Sequence, residues 1–427
     1  MSDELLARHR EVMPSWLALY YEDPMEIVDG EGRHVTDGDG NRYLDFFGGI
    51  LTTMTGYAVP EVVEAIQAQA AKMLHTSTLY LIEPMVALAE KIAGLSDIDG
   101  VKVFFTTSGT EANDAALLLA TSYRRSNQIL AMRNSYHGRS FSTMAITGNR
   151  SWSSSSLSGL SVNYVHGGYR LRSPFRELPD AEYTAACVQD LRDVIDMCTA
   201  GDVACLIAEP IQGVGGFTVP PDGFFGEFKK VLDESGILFV ADEVQTGWGR
   251  TGEHFWGYQA HGVVPDMVTF AKGVGNGLPL AGVIARPDVM DCLGANSIST
   301  FGGNPLVAAG GLANLEYLLS HDLQANAHKT GNRLREGLEP LVERTDWIAE
   351  VRGRGLMQAF ECVEVGGTTP DAARAGALLE ATRRHGLLIG KGGLYGNVLR
   401  IAPPLSVTED EVDTAVNIIA TSIEEIS

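Results

Sequence analysis

Lys272 closes the apolar run Met267-Val268-Thr269-Phe270-Ala271 and is followed by glycines at 273, 275 and 277. An unpaired ammonium is costly to bury, so a lysine at the end of a buried strand points to chemistry. Desolvation lowers the pKa of such an amine, and the neutral amine is a nucleophile for Schiff-base formation. Asp242 ends a similar run, Ile237-Leu238-Phe239-Val240-Ala241. A functional carboxylate would stand there, and so would the cap of a following turn. Glu243 comes next, but successive side chains of a strand face opposite ways, so the two acids cannot share a face. A third group is Thr107-Ser108-Gly109-Thr110-Glu111-Ala112-Asn113-Asp114, between a strand-like run and an Ala/Leu-rich helix. Small residues at a helix start leave backbone N–H groups free, and the helix dipole adds positive potential there, which makes an anion site. Ser108 or Thr110 could equally serve as an ordinary N-cap.

Taken together, these groups fit one need. A strand-end lysine, a carboxylate and an anion site are what pyridoxal 5'-phosphate requires: an imine partner, a partner for the ring nitrogen and a hold on the phosphate. The run Gly273-Val274-Gly275-Asn276-Gly277 lacks the G-x-G-x-x-G spacing, and Pro279 with a strand-like run follows it, so a dinucleotide loop is excluded.

Elements must hold these groups in place. Val101 to Thr106, Ile129 to Met132, Ala204 to Ala208, Ile237 to Ala241, Met267 to Ala271 and Ala281 to Ala285 read as buried strands alternating with helices. The pattern predicts an α/β fold with a mostly parallel sheet, in which ligands sit at the carboxyl ends of strands. The first fifty residues predict an arm and a hairpin, and Pro60 to Met73 a helix. Ser151 to Ser161, with its run of four serines, reads as a surface loop or an active-site cover. A helical pattern runs from Pro305 through Leu318, Leu334 and Leu338, with strands near Gly355 to Glu361 and Val398 to Ile401. The expected division is 1–50 as arm and hairpin of a small domain, 51–315 as the large domain and 316–427 as the C-terminal small domain.

Composition narrows the function classes. The chain has 427 residues, 45% hydrophobic and 20% charged, as expected of a globular protein. A net charge of −22 without any Lys/Arg run argues against a nucleic-acid partner. Five scattered cysteines, with no Cys-x-x-Cys or Cys/His pairing, fit a reducing compartment and no disulfide frame or metal site. No 18-residue apolar run or apolar leader core is present, so a cytoplasmic protein without a membrane partner is expected.

At this point the sequence resembles the class III (subgroup II) pyridoxal-phosphate aminotransferases, from about Tyr43 to Pro404. The resemblance rests on an ordered set: Ser108 to Asn113, Tyr136-His137-Gly138-Arg139, Ala208-Glu209-Pro210-Ile211-Gln212-Gly213, Ala241 to Gln245, Ala271-Lys272-Gly273, Thr300-Phe301-Gly302-Gly303-Asn304-Pro305 and Leu399-Arg400-Ile401. It implies a type I fold, a large domain plus a smaller α/β domain built from both termini. It also implies that Ser108, Gly109 and Thr110 hold the phosphate, that Tyr136 and Val244 flank the ring, and that Asp242 pairs with the ring nitrogen. Gln245 meets the ring hydroxyl, His137 belongs to the same cofactor site, and Lys272 is the Schiff-base residue and proton carrier. Thr300 matches a residue that reaches the phosphate of a neighbouring subunit, which implies a homodimer with shared sites, or a tetramer of such dimers. Arg400 matches the family's carboxylate-binding arginine, and Glu209 the glutamate that can neutralise it. Arg139 matches a distal-carboxylate position of relatives acting on 4-aminobutyrate, while Ile50 and Tyr20 are candidate pocket residues. His75 to Tyr80 and Trp256 to Pro279 look more like the alanine–glyoxylate aminotransferase 2 and phospho-lyase branch.

The activity implied is transfer of an amino group from an amino acid or ω-amino acid, alanine- or 4-aminobutyrate-like, to 2-oxoglutarate, pyruvate or glyoxylate. A phosphoamine lyase or an amino-acid racemase is the alternative on the same motifs.

Overall fold

The computed structural model describes residues 2–427. A seven-stranded sheet forms its centre, in spatial order Lys102–Thr106, Ala281–Ala285, Met267–Phe270, Leu238–Asp242, Cys205–Ala208, Gln128–Met132 and Ser161–Val165. Its central strands are buried on both faces: every residue of Cys205–Ala208, Leu238–Asp242, Met267–Phe270 and Ala281–Ala285 is buried. That is why they read as unbroken apolar runs and not as alternating ones.

The expectation of a mostly parallel sheet holds with one exception. Ala281–Ala285 runs antiparallel to both of its neighbours. The short turn from Lys272 to Leu280 allows this, because a parallel return needs a crossover of a dozen or more residues. All six expected strands are present. The seventh, Ser161–Val165, was not predicted; it pairs only with Gln128–Met132 and stands at the sheet edge. Its sequence, Ser-Val-Asn-Tyr-Val, alternates polar and apolar and so carries no continuous apolar signal.

The helical pattern after Pro305 resolves into two helices, Pro305–Ser320 and Leu323–Glu343. Asp322 between them adopts φ 48°, a left-handed conformation that a short polar side chain tolerates better than most. The N-terminal hairpin extends to three strands, Ile27–Glu31, His34–Asp37 and Arg42–Asp45, and the last pairs in parallel with Leu387–Leu388. A second four-stranded sheet, Ile348–Arg354, Met357–Cys362, Val398–Ile401 and Gly390–Gly392, is antiparallel and carries Arg400. Chain segments from both termini thus build the smaller α/β part. No helix among the described residues is long and apolar enough to cross a membrane.

Candidate active site

Three strand ends and one strand start meet on one edge of the large sheet. Thr107 and Ser108 follow Lys102–Thr106, Asp242 ends its own strand, and Ala271 and Lys272 follow Met267–Phe270. The reversed direction of Ala281–Ala285 delivers Leu278 and Leu280 to the same edge. These residues, with Gly109, Thr110, Asn113, Tyr136, His137, Glu209, Val244 and Gln245, line a cavity of about 290 Å³.

Asp242 is buried and fully engaged. Its Oδ2 accepts from Asn113 Nδ2 at 2.8 Å and from His137 Nδ1 at 2.7 Å, and its Oδ1 from the Val244 N–H at 3.1 Å. Asn113 is fixed in turn: it donates to the His137 carbonyl at 2.8 Å and accepts from Thr269 Oγ1 at 2.7 Å. Such a network leaves the carboxylate one orientation. Asn113, the last residue of the Ser108–Asn113 motif, has no role implied by the resemblance. Its signal was available, since an asparagine within an Ala/Leu-rich helix is costly unless its side chain has partners. Glu243 points the other way, as strand alternation requires, and accepts from Thr246 Oγ1 and from the Gly257 and Tyr258 N–H groups.

Ser108 does cap the helix Gly109–Arg124, accepting from the Glu111 N–H at 3.2 Å, so the capping and anion-site readings coexist. Glu111 itself reaches back to the residue before the cap, accepting from Thr107 N and Oγ1 at 2.8 and 2.7 Å and from Ser299 Oγ at 2.7 Å. A Cβ on Gly109 would lie 3.1 Å from Val244 Cγ1, and one on Gly138 would lie 2.6 Å from Thr110 Oγ1. Glycine at both positions therefore keeps the cup open.

Lys272 has φ 50°, a left-handed conformation rare for a residue with a side chain and a form of strain found at functional sites. Burial lowers its pKa to about 8; Asp242 and Glu209 oppose that shift, and Arg400 adds to it. The amine is thus available in neutral form near pH 8. Glu209 is buried as well. Its Oε1 accepts from the Tyr136 N–H at 2.9 Å and its Oε2 from the Gly213 N–H at 2.7 Å, while desolvation lifts its pKa to about 7.

The expected pairing of Glu209 with Arg400 is not present. Arg400 instead directs Nη2 to the Lys391 carbonyl at 3.0 Å and lies over Phe47, 5.2 Å from its ring centre. Backbone donors satisfy Glu209, so it does not need the guanidinium. Tyr20 OH also donates to the Lys391 carbonyl, at 2.9 Å, and its ring stacks on Phe47. Tyr20 and Arg400 thus share one wall.

Other predicted residues lie outside the cup. Ile50 is 45% exposed, within Gly48–Leu51, where four consecutive residues have positive φ. Arg139 is exposed, with its guanidinium 5.5 Å from the Trp16 ring centre. It is not among the residues that line the cavity. Thr300 is exposed and does not reach the cavity of its own chain, although neighbouring Ser299 is tied to Glu111.

Two orphaned polar atoms bear on what the cavity holds. Gln245 Oε1 and His137 Nε2 are buried without a partner. An acceptor-bearing amide, an anchored carboxylate, a helix start and a desolvated amine around one cavity match the donor and acceptor set of pyridoxal phosphate. The residues present fit the group.

Comparison with known proteins agrees. Residues 20–423 match the aminotransferase class-III family model. The chain is 40% identical over 416 residues to alanine–glyoxylate aminotransferase 2 homolog 2 of Arabidopsis thaliana, covering 96% of this chain and 85% of that protein. It is 34% identical over 432 residues to the alanine/serine racemase of Pyrococcus horikoshii, covering 99% and 90%. Its fold superposes with a TM-score of 0.91 on an amine transaminase from an uncultivated Pseudomonas species solved with pyridoxal phosphate bound, at 31% identity over 97% of this chain and 98% of that one. With the match spanning nearly the whole chain, the protein belongs to the class-III aminotransferases and is a pyridoxal-phosphate-dependent aminotransferase of the type I fold.

Proposed function

We propose that Lys272, Asp242, the Gly109–Thr110 helix start and Arg400 act together on amino acids or ω-amino acids, resembling alanine or 4-aminobutyrate, as donors. The acceptor is 2-oxoglutarate, pyruvate or glyoxylate. The observation that carries this reading is the convergence of the first three groups in one cavity, with Arg400 near enough to lower the pKa of Lys272.

Pyridoxal phosphate, when bound, supplies a ring that draws electron density from the substrate carbon. The chain's residues do the rest. The N–H groups of Gly109 and Thr110, with Ser108 beside them, hold the phosphate through the helix start. Tyr136 and Val244 enclose the ring from its two faces, and Gln245 offers its unpaired Oε1 to the ring hydroxyl. Asp242, held by Asn113, His137 and the Val244 N–H, keeps a proton on the ring nitrogen. Lys272 Nζ would hold the group and, once displaced by the amino substrate, would be the free amine that accepts and gives back the substrate proton. Arg400 binds the substrate carboxylate through its two N–H edges. Glu209, with a pKa lifted to about 7, can give up or take a proton as Arg400 gains or loses an anionic partner.

The same reading places Thr300 in the site of a neighbouring subunit of a homodimer. Leu79, Tyr80 and Leu81 are 73%, 69% and 99% exposed, and Phe301, 59% exposed, packs beside His75, so one apolar surface adjoins Thr300. A patch of this kind suits burial by a second copy. Pairs of such dimers would make a tetramer. Domain limits of 1–50, 51–315 and 316–427 and a cytoplasmic location complete the proposal; the five free thiols suit a reducing compartment.

The test is an absorbance titration of the holoenzyme with single amino donors and no keto acid. Loss of the band near about 410–430 nm with a gain near about 330 nm marks transfer of the amino group, and the responding donors name the substrate class. A band that no donor bleaches, with loss of optical rotation and no need for an acceptor, would point to a racemase, the activity that names the Pyrococcus relative.

A further inference from the structure

A second cavity, larger than the one at Lys272, opens elsewhere in the fold. It measures about 680 Å³ and lies at the outer edge of the seven-stranded sheet, between Ser161–Val165 and the loop carrying Leu394 and Tyr395. One wall therefore comes from the large sheet. The other comes from the loop joining Gly390–Gly392 to Val398–Ile401, the strand that bears Arg400.

Charge sets this cavity apart. The chain carries 54 acidic and 32 basic residues, yet three guanidiniums, Arg133, Arg150 and Arg172, line the cavity and no carboxylate does. Arg172 is anchored from behind by the buried Glu361, at 2.9 Å, and lies over the Tyr395 ring. Its Nε is buried without a partner. Arg133 donates to His166 Nε2 at 2.8 Å. Burial and that guanidinium hold the His166 pKa below its usual range, so it accepts as a neutral ring. The nearest acid behind it, Asp190, is engaged by the His166 N–H at 2.8 Å. Neither Arg133 nor Arg150 forms an ion pair among the described residues, so their charge is uncompensated.

Hydroxyls add to the lining. Ser153 through Ser156 form one side. The Ser155 hydroxyl accepts from the Leu157 N–H at 3.1 Å and keeps its own proton to give. Guanidiniums with hydroxyls beside them, two of the three guanidiniums unpaired by any carboxylate, are the recognition set for oxyanions with several charges.

We propose that this cavity is a second ligand site, separate from the cofactor cavity, that takes a small multiply charged oxyanion such as a polyphosphate or polycarboxylate. An ion held there bridges Arg133, just past the strand Gln128–Met132, and Arg150 to Arg172 and the Tyr395 loop. It thereby steadies the segment beside Arg400. The serine run, first read as a surface loop or active-site cover, is one wall of this site.

The experiment is calorimetric titration of the holoenzyme with pyrophosphate and, separately, with citrate, at one fixed ionic strength because screening weakens such contacts. We expect one ion bound per chain, with affinity lowered about tenfold by Arg133→Ala and again by Arg150→Ala. The cofactor absorbance band should stay unchanged in both variants, which keeps the result apart from loss of the cofactor site. Ser156→Glu, which adds a carboxylate on the exposed loop, should weaken binding without emptying the cavity of its arginines. Binding of one ion and not the other narrows the ligand to phosphoryl or carboxylate chemistry. Absence of binding by both ions, or equal binding by wild type and the Arg133→Ala/Arg150→Ala double variant, would overturn the proposal.

Discussion

The cup around Lys272 and the wall around Arg400 are built by different rules. The main groups of the cup, Asp242, Lys272 and the Gly109–Thr110 helix start, stand at the end of a buried strand or the start of the helix that follows one, and Asp242 has three donors within 3.1 Å. The wall draws Tyr20 from the N-terminal arm, Phe47 from the residue before a strained turn, Lys391 from a short strand and Arg400 from the second sheet. Arg400 there meets backbone carbonyls and aromatic faces, with no carboxylate partner among the described residues. The cup is fixed before any substrate arrives, whereas the wall has charge and hydrogen-bonding capacity to spare. Under the proposed function, the first part serves chemistry common to all substrates and the second selects among them.

Substitutions should separate the two regions. The largest effect is expected for Lys272→Ala, which removes both the anchor and the proton carrier. Turnover should fall by roughly 10⁴-fold or more, measured by coupled keto-acid formation; retention of full turnover would sink the assignment. Asp242→Ala comes next. It should lower turnover on the order of 10²–10³-fold. It should also cost about 1–3 kcal/mol of stability, because Asn113 Nδ2 and His137 Nδ1 lose a buried acceptor; chemical denaturation reads this second effect.

Arg400→Ala should act on the wall alone. The kcat/KM for carboxylate-bearing donors should drop about 10- to 100-fold, with little change for amines that lack a carboxylate. An equal loss for both kinds of donor would show that the wall and the cup are not independent.

A pH measurement sharpens the electrostatic contrast. In the cofactor-free chain the folded pKa of Lys272 is about 8 and its ordinary value is 10.5. Between these pH values the unfolded chain binds the extra proton, so stability should rise with pH across that window. Lys272→Met should remove that part of the slope in denaturation curves. The smallest effect is expected at Ile50, whose φ of 65° is unfavourable for a β-branched residue. Ile50→Gly should stabilise the fold by about 1 kcal/mol while altering substrate preference, seen as a higher melting temperature with a changed donor profile.

The same division governs what could be read from the chain. Asp242 and Lys272 stand out in sequence because each ends an apolar run, and a buried strand makes a charged residue at its end conspicuous. Asn113 could have been assigned by asking what satisfies an amide inside an apolar helix. The edge strand Ser161–Val165 was missed because pairing on one side only leaves half of its residues polar. The break at Asp322 was missed because helical periodicity continues on both sides of it.

The sequence by itself determined the class of chemistry and the cofactor and marked Asp242, Lys272 and the Gly109 helix start, since burial of continuous strands is written in local composition. Tertiary structure alone decided that Glu209 is held by backbone N–H groups and not by Arg400, that Arg139 faces Trp16 outside the cavity, and that the serine run walls a cationic cleft. These outcomes depend on where side chains from distant segments come to rest, and on which partners reach each polar group first. Local propensity carries no term for such competition.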